Sequence, residues 1–189
     1  MHLRFAATAD TDSCLAVYAE YMDTVITFET ELPSHEAFAG RIRSYGAVYP
    51  WLVAEEDGMI LGYAYAHRAQ ERAAYDWNAE LSVYLAKRAA GRGLGTKLYG
   101  ALLALLQKQG VRNVYGIVTL PNPASEALHR AFGFRTVGAY DRSGYKNGRW
   151  LDVGIFEKQI GSFDGKPEPL LPIGTIEDRE QILHAYTQP

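Results

Sequence analysis

The 189 residues are 48% hydrophobic and 22% charged, an ordinary composition for a globular domain that buries one sizeable core. Lys, Arg, Asp and Glu are mixed along the chain to a formal charge of -3, with no basic stripe to neutralise phosphates, which excludes nucleic acid as an expected partner. The longest apolar runs, such as Ala101 to Leu106, fall far short of the about 20 residues that a membrane-spanning helix needs, so no membrane partner is expected.

In chain order, Leu3 to Ala6 alternates weakly and precedes Thr8, Asp10 and Thr11, a helix-start signal, after which Leu15, Tyr18 and Met22 recur at helical spacing. A short strand and a helix are expected. Asp23 to Ser34 mixes β-branched residues, Phe28, two glutamates and Pro33, and reads as a loop with a strand-like stretch. Ser34 caps a second predicted helix, from His35 to about Ser44. Trp51 to Glu55 and Met59 to His67 are apolar or aromatic runs separated by Glu56, Asp57 and Gly58, the pattern of an antiparallel hairpin. Asn78 to Ala86 is a further strand, and it runs into a basic, glycine-rich loop over Lys87 to Gly95. A helix over Thr96 to Gln109 follows, stopped by Gly110. The β-branched content of Asn113 to Thr119 predicts a buried strand. Pro121 to Pro123 breaks it, and Ser125 to Phe132 forms a short helix stopped by Gly133. Two last strands, about Phe134 to Arg142 and Trp150 to Gln159, flank a Gly144 to Gly148 turn.

The order is strand, two helices, three strands, helix, strand, helix and two strands: a mixed α/β (α+β) domain around one central sheet, without internal repeats. This domain is expected to span 1–160. Residues 161–189 hold four of the eight prolines and are expected as an extended arm or an extension packed on the domain, with Glu177 to Tyr186 adding a helical turn or two.

Gly91-Arg92-Gly93-Leu94-Gly95-Thr96 lies between a strand and a helix. Glycines let the backbone approach a ligand and aim successive N–H groups at an anion, and a helix N-terminus adds about half a positive charge at the same place. Pyrophosphate suits such a loop, with Lys87, Arg88 and Arg92 placed to meet further phosphates; a turn that merely permits close packing suits it as well. A P-loop requires Gly-Lys-Ser or Gly-Lys-Thr at its end, and Gly95-Thr96-Lys97 has the wrong order. A dinucleotide fold places its glycines after the first strand of a parallel unit and an acidic residue at the end of the next strand. Here the loop follows the fourth strand, and Asn113 to Leu120 holds no acidic residue. The later motifs of a kinase are absent. Coenzyme A is the reading that remains.

Cys14, the single cysteine, cannot pair within the chain, and no charged leader with an apolar stretch and cleavage site opens the sequence; both predict a cytoplasmic location. Cys14 has no evident base beside it in the sequence and reads as a buried small hydrophobe. The five histidines are scattered without ligand-like spacing, so no metal is expected.

These residues resemble the GNAT superfamily of N-acetyltransferases, in which a strand, a pyrophosphate-binding glycine loop and a helix are followed by a strand and an Asn-led helix. Leu81-Ser82-Val83-Tyr84-Leu85 through Leu98-Tyr99 is similar to the first part, and Leu120-Pro121-Asn122-Pro123 through Leu128-His129 to Gly133-Phe134 to the second. More narrowly, Thr27-Phe28-Glu29, Arg72-Ala73-Ala74-Tyr75-Asp76-Trp77, Glu80-Leu81-Ser82-Val83-Tyr84, Gly144-Tyr145-Lys146 and Trp150-Leu151-Asp152-Val153-Gly154 resemble the phosphinothricin and methionine-sulfoximine N-acetyltransferases. The resemblance covers about residues 1 to 160. It departs at Ala90, where the superfamily often has Gln or Arg, and at His129, where many relatives carry Tyr.

The resemblance implies a GNAT-like, largely antiparallel sheet flanked by helices, acetyl-coenzyme A as cosubstrate, a small amino-acid-like acceptor and a homodimer. It implies that Val83, Tyr84, Leu85, Arg88, Gly91, Arg92, Gly93, Leu94, Gly95, Thr96, Asn122 and Ser125 hold the cosubstrate. An amine must lose a proton before it attacks a thioester, and Glu80 on its strand is the expected base. Pattern alone also fits a surface strand residue there. His129 is expected as a second base or as the acid for the departing thiolate, with a packed helix residue as the alternative. A backbone N–H near Val83 or Leu85 is expected to meet the developing oxyanion. Arg72 is expected to bind an α-carboxylate, while Phe28, Glu29, Tyr75 and Trp77 shape the acceptor pocket.

Overall fold

Strand β4 (Asn78–Leu85) runs antiparallel to one neighbour, β3 (Met59–Arg68), and parallel to the other, β5 (Asn113–Leu120). The computed structural model describes residues 1–187. Among these, seven strands form one sheet in the order β1-β2-β3-β4-β5-β7-β6, with β1 (His2–Phe5), β2 (Trp51–Glu56), β6 (Arg135–Lys146) and β7 (Arg149–Gln159) completing it. All neighbouring pairs except β4–β5 are antiparallel. Asp57 and Gly58, both at positive φ, turn the β2–β3 hairpin as the sequence predicts.

Side chains alternate across β2, β3 and β4 and give the sheet two apolar faces. On one face, Leu52, Ala54, Ala64, Ala66, Ala79 and Leu81 join Leu98, Leu102, Leu105 and Leu106 of α3 (Leu94–Gln109). The leucine spacing on α3 places one helical stripe against the sheet, and Gly110 ends the helix at φ 93°. On the other face, Trp51, Val53 and Tyr63 meet Cys14, Val17 and Tyr18 of α1 (Thr11–Ala19) and Phe38 and Ile42 of α2 (His35–Gly46). Ser34 caps α2 by accepting a hydrogen bond from the Ala37 amide at 3.2 Å. Helix α4 (Pro123–Ala131) sits beside β5.

Two expectations about strands change. Asp23 to Ser34 contains turns and bends but no strand. The β6–β7 hairpin closes at Asn147 and Gly148, later than the expected turn, and Gly144, Tyr145 and Lys146 pair with Leu151, Trp150 and Arg149. A bulge between Tyr140 and Gly144 absorbs the extra residues.

After β7 the chain crosses the end of the sheet. Leu171 donates to the Gln109 carbonyl at 3.0 Å, and the buried Gln109 amide donates to the carbonyls of Leu171 and Val48 at 2.7 and 2.6 Å. Ile173, Ile176 and Leu183 enter the α3 core, and α5 (Arg179–Thr187) lies against α3 and β1.

Candidate active site

The parallel pairing of β4 with β5 is brief. Asn78, Ala79 and Glu80 pair with Asn113, Val114 and Tyr115, after which each strand follows its other neighbour, β4 to Leu85 beside Gly62 and β5 to Leu120 beside Asp152. From Leu81 and Gly116 onward the facing edges have no ladder partner and leave a cleft with hydrogen-bonding backbone on its walls.

At the open end of that cleft the glycine loop leads into α3. Gly91 and Gly93 have φ of 77° and 75°, left-handed values that glycine adopts without cost. A Cβ at either position would meet nothing within 4 Å, so it is the backbone conformation rather than packing that calls for glycine there. Gly93 stands at the N-cap of α3 without a side-chain cap, which leaves amides of the first turn available to an anion. These features fit a pyrophosphate. The side chain of Arg92 is held elsewhere, by both carboxylate oxygens of Glu56 at 2.8 Å. Among the described residues, Arg88 reaches only the Ile60 carbonyl, at 3.4 Å. Leu94 is buried under the loop, Gly95 lies near Leu85, and Thr96 is exposed on the first turn. Along β4, Val83 and Leu85 pack towards the α3 core, the Tyr84 ring stands edge-on to Tyr18 and Tyr21, and Tyr21 Oη donates to the Leu85 carbonyl at 2.5 Å. Asn122 caps α4 by accepting from the Ser125 amide at 3.2 Å, so its NH₂ group is the part left for a ligand.

Glu80 occupies the last paired position before the strands part. Burial raises its carboxyl above the ordinary value, and the nearby His67 imidazole opposes that rise. His67 lies directly across β3, with Nε2 3.8 Å from Glu80 Oε1. Sequence reading missed His67. Its signal is a strand register that only pairing reveals.

His129 is 3% exposed, between Phe134 and Phe156. Its Nδ1–H donates to the Ser125 carbonyl at 2.7 Å, and burial lowers the imidazole below its ordinary value, so Nε2 accepts the Tyr99 hydroxyl at 2.9 Å. Both nitrogens are engaged within the fold, and Tyr99 is the partner that the linear sequence did not disclose.

The expected acceptor residues fall in two groups. Phe28 and Glu29 lie on the loop after α1: the Phe28 ring rests on Gly144, and Glu29 pairs with Arg41 at 2.6 Å. Lys146, buried at the β6–β7 turn, holds this loop by donating to the Thr27 carbonyl at 2.8 Å, while Thr27 Oγ1 bonds the Tyr18 hydroxyl. Arg72, Tyr75 and Trp77 lie on the β3–β4 connection. Arg72 and Tyr75 are exposed, and Arg72 has no ion-pair partner among the described residues. Trp77 turns its indole N–H to the Glu168 carbonyl at 2.7 Å, so part of this expected pocket residue is spent on the C-terminal arm. Among the described residues, no hydrogen bond, ion pair or ring contact joins the two groups.

A cleft that offers an extended backbone edge to a pantetheine arm and open amides to its pyrophosphate is a site for acyl transfer from coenzyme A. Residues 3–155 match the acetyltransferase (GNAT) domain family, and the chain belongs to it. It is 34% identical over 177 residues to the phosphinothricin N-acetyltransferase of Streptomyces viridochromogenes, covering 93% of this chain and 96% of that one. It is also 34% identical over 163 residues to the L-methionine sulfoximine/L-methionine sulfone acetyltransferase of Pseudomonas aeruginosa, covering 84% and 94%. A crystal structure of a GNAT superfamily phosphinothricin acetyltransferase from Sinorhizobium meliloti in complex with acetyl-coenzyme A superposes with a TM-score of 0.84 at 36% identity, over 88% of this chain and 92% of that one. The protein is an N-acetyltransferase, and acetyl-coenzyme A is its cosubstrate.

Proposed function

We propose that the acceptor is the α-amino group of a small amino acid of the phosphinothricin, methionine sulfoximine or methionine sulfone type. The observation that carries the chemistry is Glu80, a partly buried carboxylate at the point where β4 and β5 separate. Relatives named for these acceptors support the substrate class.

An α-ammonium has a pKa of about 8 and is mostly protonated at neutral pH. Glu80 removes that proton and frees the nitrogen lone pair, which forms the C–N bond as the C–S bond of the thioester breaks. A backbone N–H near Val83 or Leu85 faces the oxygen that gains charge. A second nitrogen proton ends on the departing sulfur. Amide and thiol result, and one proton per turnover leaves for solvent. No acyl-enzyme is required, and burial pushes the Cys14 thiol up to about 12. Arg72 is free to take the α-carboxylate through two parallel hydrogen bonds, while Phe28, Glu29, Tyr75 and Trp77 border the acceptor. His129 acts through the Tyr99 hydroxyl it holds, since a direct proton transfer would first break one of its two bonds.

The catalytic unit is read as 1–160, followed by the extension 161–189, of which the described part to Thr187 straps onto the domain. A homodimer is part of the same reading. Tyr140, Tyr145 and Trp150 are 56%, 59% and 61% exposed on the β6–β7 hairpin, and Tyr145 faces Trp150 across the strands with ring centroids 5.3 Å apart. Use of acetyl-coenzyme A and an unpaired cysteine support work in the cytoplasm. Thiol release from acetyl-coenzyme A in the presence of methionine sulfone, methionine sulfoximine or phosphinothricin tests the assignment. Turnover with at least one is expected; none with any α-amino acid would overturn it.

A further inference from the structure

Acetylation of an ammonium substrate liberates one proton per turnover, and a partly buried Glu80 has to discharge it before it can act again. What lies behind Glu80 therefore matters as much as what lies in front. His67 faces it, 3.8 Å away through Nε2. On its other side, His67 Nδ1–H donates to the Arg68 carbonyl at 2.9 Å. A carbonyl only accepts, so an Nδ1–H points to Arg68 and Nε2 is the nitrogen that faces Glu80. The ring is held by stacking on Tyr45, with centroids 5.2 Å apart.

His67 is also part of the wall of a cavity of about 690 Å³ that opens to the surface at the end of the sheet. Every element packed around it contributes: α2 supplies Tyr45, the turn after it Tyr49, the end of β3 Arg68, the β3–β4 connection Glu71, Asp76 and Trp77, and the C-terminal arm Pro169 and Leu170. Arg68 is paired with Asp76, which leaves Glu71 as a charged side chain of the lining without an ion-pair partner among the described residues. The arm is latched at this point by the bond from Trp77 to Glu168.

We propose that His67 is the proton outlet of Glu80: the proton taken from the acceptor passes from Glu80 Oε1 to His67 Nε2 and from there to solvent in this cavity. The 3.8 Å separation is longer than a hydrogen bond and is crossed after a small torsional movement of Glu80 or through one bridging water. The step moves one proton and no electrons, and each group returns to its starting state. His67 acts through Glu80 and is a positioning residue for the reaction. This inference rests on the reading of Glu80 as the base.

The test compares wild type, His67→Gln, His67→Ala and Glu80→Gln in the full chain. In His67→Gln, kcat is expected to fall roughly 10- to 100-fold, with both KM values changed by less than about threefold. The acid limb of kcat/KM is expected to move to higher pH, because the group that holds the Glu80 carboxyl down has gone. Imidazole in the buffer is expected to restore part of the rate of His67→Ala. A carboxyl carbon NMR titration of Glu80, which needs no turnover, is expected to show the same upward movement in His67→Gln. Wild-type kcat and acid limb in His67→Gln, or an unmoved Glu80 titration, would overturn the proposal. A rate loss that imidazole does not rescue and that comes with a lower Tm would also overturn it, since His67 then serves only to pack under Tyr45. An active Glu80→Gln removes the base and the outlet together, whereas an inactive Glu80→Gln beside an intact His67→Gln removes the outlet alone.

Discussion

A Cβ placed on Gly116 would lie 2.0 Å from Nε2 of His129, so the smallest side chain on β5 is what lets the histidine enter the core and accept the Tyr99 hydroxyl. Gly116→Ala is expected to displace the ring and cost about 1–3 kcal/mol, read as a lower urea midpoint. The same burial makes stability depend on pH. The fold holds His129 below its ordinary value and keeps it neutral where the unfolded chain binds a proton. The contribution is complete above about pH 6.5 and is lost as the pH falls towards the folded value. Urea midpoints at several pH values between neutral and mildly acid should show this decline, and His129→Gln should flatten it.

Glu80→Gln keeps the shape of the side chain and removes the base. A loss of about 100-fold or more in kcat is expected, with acetyl-coenzyme A binding retained. In wild type, burial raises the Glu80 carboxyl, so the acid limb of kcat/KM should fall above the ordinary carboxylate range. A limb at the ordinary value would place the titrating group elsewhere.

Gly93→Ala puts a side chain at φ 75°, a strain of about 1–2 kcal/mol for an L-residue. The loop relaxes when free and has to be reshaped on binding, which predicts a roughly 5- to 30-fold rise in KM for acetyl-coenzyme A. Gly58→Ala is the control. It carries the same strain at φ 76° in the β2–β3 turn and should lower Tm without touching that KM.

Arg72→Ala separates acceptor classes. Loss of a charged pair of hydrogen bonds should raise KM for an α-amino acid by roughly 10- to 150-fold, with KM for acetyl-coenzyme A unchanged. A polyamine acceptor would be indifferent to the change.

Trp150→Asp places a charge in the middle of the exposed aromatic patch on the β6–β7 hairpin. Light scattering after size-exclusion chromatography is expected to report a dimer for wild type and a monomer for the variant. Equal masses for the two would remove this hairpin from the dimer.

The order of strands and helices was legible because each element carries its own periodicity and its own stop signal. Gly110 and Gly133, both left-handed at 93° and 74°, end α3 and α4 where the sequence predicts. Ends were less legible where two signals compete. Gly144 and Gly148 both announce a turn, and only pairing with β7 chooses the second. Helix α3 begins at Leu94 rather than Thr96, since a glycine at Gly95 is compatible with the first turn of a helix.

From the linear order of residues alone came a glycine turn feeding a helix, a carboxylate on the preceding strand and an Asn-led helix after the next one, because these depend on neighbours a few positions apart. The three-dimensional packing decided how those groups are used. It set His67 opposite Glu80 through strand register, sank His129 beside Gly116 with both nitrogens bound, tied Arg92 to Glu56 and turned Trp77 towards the C-terminal arm. Each of these outcomes follows from burial and contacts between residues far apart in the chain, and no local pattern encodes them.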